Sequence, residues 1–168
     1  MNAIDQLCPN CGLCCNGALF ADVELRAGDD PKQLAKLGLP LARKGPRKLA
    51  FPQACACFDG KLCRIYPDRP KRCRLFACGL LKRVKAGDME PEAALHEIAA
   101  ARRQLEKIET FLEAMGQTDK TLALTHRYAS AMSAPLDLAD EANAEHYGDL
   151  MLEMSSLMER FQREFLRG

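Results

Sequence analysis

The feature that most constrains this chain is a run of four cysteines within eight residues, Cys8-Pro9-Asn10-Cys11-Gly12-Leu13-Cys14-Cys15, near the start of a 168-residue sequence. It joins two overlapping CxxC units and adds a cysteine directly after them. Two intervening residues let the backbone curl until both sulfurs face one ion and backbone amides point at the thiolates; Pro9 and Gly12 suit such tight turns. The adjacent Cys14 and Cys15 most simply serve different sites, unless one is spare. Residues 1–88 are dense in Cys, Pro and Gly and show no sustained apolar period. That pattern reads as loops and short elements that need an external constraint, and metal is the candidate.

The second group is Cys55-Ala56-Cys57, then Cys63, Cys73 and Cys78. Asp59-Gly60 predicts a turn folding Cys57 back towards Cys63, and Pro70 suits the first position of a short helix carrying Cys73. Five residues at 3.6 per turn set Cys73 and Cys78 about 140° apart on a regular helix, so they serve different sites or the helix breaks between them. Weak signals place short strands over 18–25 and 48–51, and a short helix over 30–37 opened by Asp30-Pro31.

An isolated cysteine is commonly a small buried hydrophobe, but the spacing and density here match thiolate ligation. Zinc is the default for paired CxxC-like sites. Iron-sulfur competes, because Cys8, Cys11 and Cys14 reproduce the CxxCxxC half of a ferredoxin-type pattern that takes a remote fourth ligand. The nine cysteines are an odd number, which argues against complete disulfide pairing. The first residues carry no basic segment followed by an apolar stretch, and no run reaches the roughly 18 apolar residues of a membrane span. The expectation is therefore a cytoplasmic protein, in a reducing compartment where clustered thiols ligate metal or do redox chemistry.

The net charge of +1 conceals a division: residues 1–88 hold 16 Lys/Arg against 8 Asp/Glu, and residues 89–168 hold 8 against 15. All nine cysteines lie in the basic half, where positive charge lowers thiol pKa and offsets a thiolate cluster. The whole-chain balance makes no case for nucleic acid, and the basic half makes only a discounted one, because part of its charge is internal to the cluster.

After Gly87 the pattern changes, with Ala94, Ile98, Ala101, Leu105, Ile108, Leu112 and Met115 recurring at helical spacing until Gly116. A shorter helix is expected from an N-cap at Thr118, with Leu122, Thr125, Ala129 and Met132 on one side, stopping before Pro135. A third, beginning near Asp137, shows Tyr147, Leu150, Met154, Leu157, Phe161 and Phe165 on one stripe. Trp is absent, so the core rests on side chains that suit helices. The expected fold is mainly α: an irregular metal-stapled region over 1–88 with minor short strands, then long antiparallel helices over 89–168 that pack on it or dimerise.

Cys57-x5-Cys63-x-Ile65-Tyr66-x2-Arg69-Pro70-x2-Cys73-Arg74-x-Phe76-x-Cys78, together with the first group, resembles the YkgJ-type cysteine-cluster family, named for its CxxCxxCC motif and described as zinc- or iron-chelating. The resemblance implies metal ligands at Cys8, Cys11, Cys14, Cys15, Cys57, Cys63, Cys73 and Cys78, and leaves Cys55 outside the pattern as a spare thiol, a redox-active extra or a substitute ligand. Some longer relatives are flagellin lysine methylases, but nothing in this chain resembles their S-adenosylmethionine domain. Arg69, Arg72 and Arg74 are expected either to donate hydrogen bonds to the cluster or to be solvated, and Tyr66 to pack.

His96, His126 and His146 lie away from the cysteines in sequence, and solvent or packing accounts for them better than ligation. Glu141, Glu145 and Asp149 read as a solvated acidic face, since Asn143 breaks the Glu-x-x-His pattern of a di-iron helix. The basic run Arg43-Lys44-Gly45-Pro46-Arg47-Lys48 reads as a solvated loop, and Met151, Met154 and Met158 as packing. No Walker loop, dinucleotide fingerprint or nucleophile elbow occurs, so no enzyme class has sequence evidence. The expected function is an accessory or structural metal protein binding zinc or iron-sulfur at one or two sites, with the C-terminal helices as a homodimer or partner surface. An iron-sulfur oxidoreductase or electron carrier, and an adaptor binding nucleic acid or an acidic partner through the basic half, are the alternatives.

Overall fold

Proline, glycine and aspartate punctuation sets most of the element boundaries in the computed structural model, which describes residues 3–135 and 140–167. In chain order the elements are α1 (Ala3–Cys11), β1 (Asp22–Glu24), α2 (Pro31–Lys36), β2 (Ala42–Arg43), β3 (Leu49–Pro52), α3 (Lys71–Leu75), α4 (Gly79–Ala86), α5 (Pro91–Ala114), α6 (Leu124–Ser133) and α7 (Glu141–Arg160). A short 3-10 turn covers Tyr66–Asp68, and a π-helical turn, Phe161–Leu166, follows α7. The fold is mainly α with a small sheet, as the sequence predicts. Among the described residues no helix is long and apolar enough to cross a membrane. The chain forms two compact units, one of residues 8–77 and 120–125, the other of residues 1–7, 78–119 and 126–168.

The first unit holds an antiparallel three-stranded sheet in the order β1-β3-β2, in register Val23↔Phe51 and Ala42↔Ala50. Alternation along β1 and β3 turns Val23 and Phe51 into a core completed by Leu34, Leu39, Cys57 and Ile65. Asp30 caps α2, its Oδ1 accepting from the amides of Lys32 at 2.9 Å and Gln33 at 3.1 Å, and so places Leu34 in that core. The strand expected over 18–25 is shorter, because the amide of Ala18 bonds the Asn16 side chain and that of Leu19 bonds the Leu13 carbonyl before pairing begins at Asp22.

The helix expected from Thr118 begins instead at Leu124. The Thr121 carbonyl accepts from Ala54 N–H at 3.2 Å and Leu124 N–H donates to Gly17 at 2.9 Å, so tertiary hydrogen bonds hold this segment out of the helix. Its buried face is also displaced: Leu124, Arg127 and Ala131 are buried, whereas Leu122, Thr125 and Ala129 are exposed. A β-carbon on Gly17, at φ +84°, would lie 3.0 Å from the Ala54 nitrogen and 3.1 Å from the Ala123 Cα, so glycine permits this crossing of main chains.

In the second unit α5 and α7 run antiparallel: Glu97 pairs with Arg160 at 2.6 Å, and Lys107, further along α5, with Glu153, earlier in α7, at 3.4 Å. The apolar stripes meet as their periods predict, with Ile98, Ala101, Ile108 and Leu112 of α5 and Leu150, Met154 and Leu157 of α7 all buried. The expected start near Asp137 lies outside the described residues; Asp140 caps α7 through the amides of Ala142 and Asn143. Arg127 is buried in this unit, where it pairs with Glu109 Oε1 at 2.7 Å and donates to the Gln117 carbonyl at 2.8 Å. A β-carbon on Gly79, the first residue of α4, would collide with the carbonyl oxygens of Glu164 and Arg167, so only glycine allows that approach.

Candidate metal centre

The first cysteine group spans the end of α1 and the turn after it. Cys8 and Cys11, three residues apart on α1, share a face of the helix. Gly12, at φ +70°, ends the helix, and the amides of Cys15 at 2.9 Å and Asn16 at 3.0 Å both donate to its carbonyl. A β-carbon there would lie 2.8 Å from the Phe58 ring, so glycine also lets the second group approach.

In the second group the expected turn is present. Asp59 Oδ1 accepts from the amides of Lys61 at 2.9 Å and Leu62 at 2.7 Å, Gly60 takes φ +98°, and Phe58 bridges Cys63. Arg64 N–H donates to the Cys57 carbonyl at 2.9 Å, which returns the chain past Cys57. Cys73 rides on α3, whose N-cap is Pro70. The helix breaks after Leu75, with Phe76 extended, so Cys73 and Cys78 do not share a helix. Cys78 falls in the other unit and caps α4, its Sγ accepting from Leu81 N–H at 3.5 Å.

The two groups meet through Cys55, which the sequence pattern sets apart. Its amide donates to the Cys15 carbonyl at 2.8 Å, and its carbonyl accepts from Phe58 N–H at 3.0 Å. Cys55, Cys63 and Cys73 all pack against the core that contains Cys57. Burial, and then the neighbouring Cys55, Cys73, Cys63 and Cys11, push the Cys15 thiol up to about 12. Burial, followed by Cys55 and Cys63, pushes Cys73 up to about 11, with Arg69 opposing. Burial also raises Cys55 and Cys57, with Arg64 opposing the rise at Cys57. Cys57 itself is 1% exposed and its S–H faces the Leu37 carbonyl at 3.4 Å. The signal that could have found Cys55 is its CxC spacing, which holds it beside Cys57 wherever the chain carries that pair.

All nine cysteines are free thiols. As the side chains stand, no three His, Cys, Asp or Glu among the described residues form a group that could hold an ion. The donor chemistry nevertheless fits a thiophilic metal. Protonated thiols have no reason to converge on a point, whereas a dication displaces their protons and relieves the mutual repulsion that raises their pKa. Several thiols gathered within one unit, with sulfur neighbours acting on Cys15, Cys55 and Cys57 and Asp29 only the last of the groups acting on Cys73, suit zinc or iron rather than a hard oxygen-seeking cation.

Of the three arginines, Arg69 stacks over the Tyr66 ring at 3.5 Å and donates to the Tyr66 carbonyl at 2.9 Å. Arg72 approaches Glu24 at 4.0 Å. The basic run is partly neutralised across the sheet, with Lys44 on Asp22 at 2.7 Å and Lys48 on Glu24 at 3.2 Å. His96, His126 and His146 are exposed in the helical unit, and His146 Nδ1 lies 2.6 Å from the Ala142 carbonyl. Glu141, Glu145 and Asp149 are likewise exposed, as a solvated face requires.

Residues 7–93 match the family model CxxCxxCC, described as a "putative zinc- or iron-chelating domain". No curated protein and no solved structure matches the chain.

Proposed function

Because this chain belongs to the CxxCxxCC family, we propose that it is a cysteine-cluster protein in which zinc or iron, held by thiolates from both cysteine groups, constrains the unit of residues 8–77 and 120–125 in an accessory or structural role. The eight family positions, Cys8, Cys11, Cys14, Cys15, Cys57, Cys63, Cys73 and Cys78, are the pool from which ligands are drawn. The observation that carries the reading is the contact of the two cysteine groups, through the bond from Cys55 N–H to the Cys15 carbonyl at 2.8 Å and the approach of Phe58 to Gly12. A structural role follows from the unit's construction: strands of two to four residues and eleven buried apolar side chains, four of them the small Ala18, Ala50, Cys57 and Ala123, offer little apolar area to stabilise so much loop. Without metal, the raised thiols are protonated at neutral pH, which disfavours an activated-thiol chemistry at Cys15 or Cys55.

The test is hydrogen exchange on the full chain before and after anaerobic chelation. Metal removal should lower amide protection in β1, β3 and α2, without abolishing it, while α5 and α7 keep theirs. Unchanged protection in the cysteine unit after complete metal removal would sink the structural role.

A further inference from the structure

We propose that Cys55 is a metal ligand, completing with Cys15, Cys63 and Cys73 a four-thiolate site for one thiophilic divalent ion, and that Cys57 is instead a core residue of the same unit. This rests on the reading that the cluster binds metal, and it changes which sulfurs do so.

Three independent observations bring the four together. The hydrogen bond from Cys55 N–H to the Cys15 carbonyl sets those main chains side by side. The Phe58 bridge to Cys63 and the bond from Phe58 N–H to the Cys55 carbonyl bring Cys63 to the same place. Cys55, Cys63 and Cys73 are all half-buried and packed against the one apolar cluster formed by Val23, Leu34, Leu39, Phe51, Cys57 and Ile65. Electrostatics agrees in direction: Cys55, Cys63 and Cys73 all raise the Cys15 thiol, and Cys55 and Cys63 raise Cys73, while Cys57 acts with Cys55 and Cys63.

Cys57 has the opposite surroundings. It is the one cysteine of the nine that is fully buried, it lies inside the apolar cluster, and its S–H points to the Leu37 carbonyl. That is how a cysteine serving as a small hydrophobe behaves. In the CxC pair Cys55-Ala56-Cys57, Cys57 is thus an interior member of the apolar cluster and Cys55 a half-buried residue at its margin. On binding, the four side chains turn inward, each S–H gives its proton to solvent, and four sulfur–metal bonds form around the ion, the tetrahedral arrangement of zinc and of mononuclear iron with thiolates.

The experiment compares the wild-type chain with Cys55→Ser and Cys57→Ala, each loaded anaerobically with Co(II) and then Zn(II). Sulfur-to-cobalt charge-transfer intensity counts thiolates, and chelator competition gives affinity. Wild type should show a tetrathiolate spectrum, Cys57→Ala should retain it with affinity within a few-fold, and Cys55→Ser should lose at least one thiolate and bind at least tenfold more weakly. Wild-type intensity and affinity in Cys55→Ser, or their loss in Cys57→Ala alone, would overturn the assignment. A measurement that needs no variant is iodoacetamide labelling of the wild type read by peptide mass. Zinc should protect Cys15, Cys55, Cys63 and Cys73, and chelation should restore labelling. Equal labelling of Cys55 with and without zinc would overturn the assignment while metal binding itself stands. A wild-type chain that takes up neither ion overturns the broader reading and this assignment with it.

Discussion

Cys55 and Cys15 are joined main chain to main chain, amide to carbonyl at 2.8 Å, and this one bond links two cysteine groups far apart in the sequence. It sets Cys15 beside the second group, where burial and then Cys55, Cys73 and Cys63 raise its thiol, and protonation is the first property to measure.

The metal-free protein should therefore lose stability in alkali. Cys15 and Cys73 have an ordinary value of 9.0, raised to about 12 and about 11 in the folded state. The folded chain holds those protons more tightly than the unfolded one, so their contribution is complete below about pH 9 and is lost as pH rises through 11 to 12. Urea midpoints of the apo protein should fall across that window. By the same linkage, metal uptake releases protons, and affinity should climb steeply with pH between 6 and 8, roughly one decade per pH unit for each proton released. Affinity independent of pH would contradict the thiol assignment.

Arg127 tests the helical unit. Replacing it by Ala leaves Glu109 and the Gln117 carbonyl facing a void, and Glu109 Oε2 is already buried without a partner. A loss of about 3 kcal/mol in denaturant unfolding is expected. Lys107→Ala, which removes an exposed partner of Glu153, should cost under about 0.5 kcal/mol. Similar small losses in both would mean that Arg127 is not held as described.

Gly79→Ala opposes helix propensity to sterics. Propensity alone would favour Ala by about 1 kcal/mol. The new methyl group, however, meets the backbone carbonyls of Glu164 and Arg167, which cannot swing aside as a side chain does. A net destabilisation of about 1–3 kcal/mol is expected. A Gly79→Ala protein with a higher Tm than the wild type would refute that packing.

The paired stripes of α5 and α7 were legible in the sequence because each helix buries one face against an apolar partner, which is the condition under which a 3.6-residue period appears. The same rule misreads α6, where the buried Arg127 occupies a position that a hydrophobic pattern assigns to the surface, and where bonds to Gly17 and Ala54 remove the first turns. The hairpin at Asp59-Gly60 was legible because its chemistry is local. Cys55 was not, since its main-chain partner Cys15 comes from a distant segment that only the assembled unit brings to it. The pairing of Lys44 and Lys48 with β1 likewise depends on strand register, which composition does not contain.

Capping at Asp30 links local structure to the core, because α2 carries both Leu34 and the approach to the Leu37 carbonyl that faces Cys57. Asp30→Ala should cost about 1 kcal/mol, and Asp30→Asn much less, in the unfolding of the cysteine unit. Equal losses in both would point to charge rather than capping.

The central claim is that thiolates of this chain hold zinc or iron, and metal analysis combined with X-ray absorption on anaerobically purified protein tests it most directly. The account predicts zinc or iron at one or more equivalents per chain, with first-sphere scattering dominated by sulfur at about 2.3 Å. A folded protein with less than about a tenth of an equivalent of any metal, or with metal surrounded by oxygen and nitrogen alone, would contradict it.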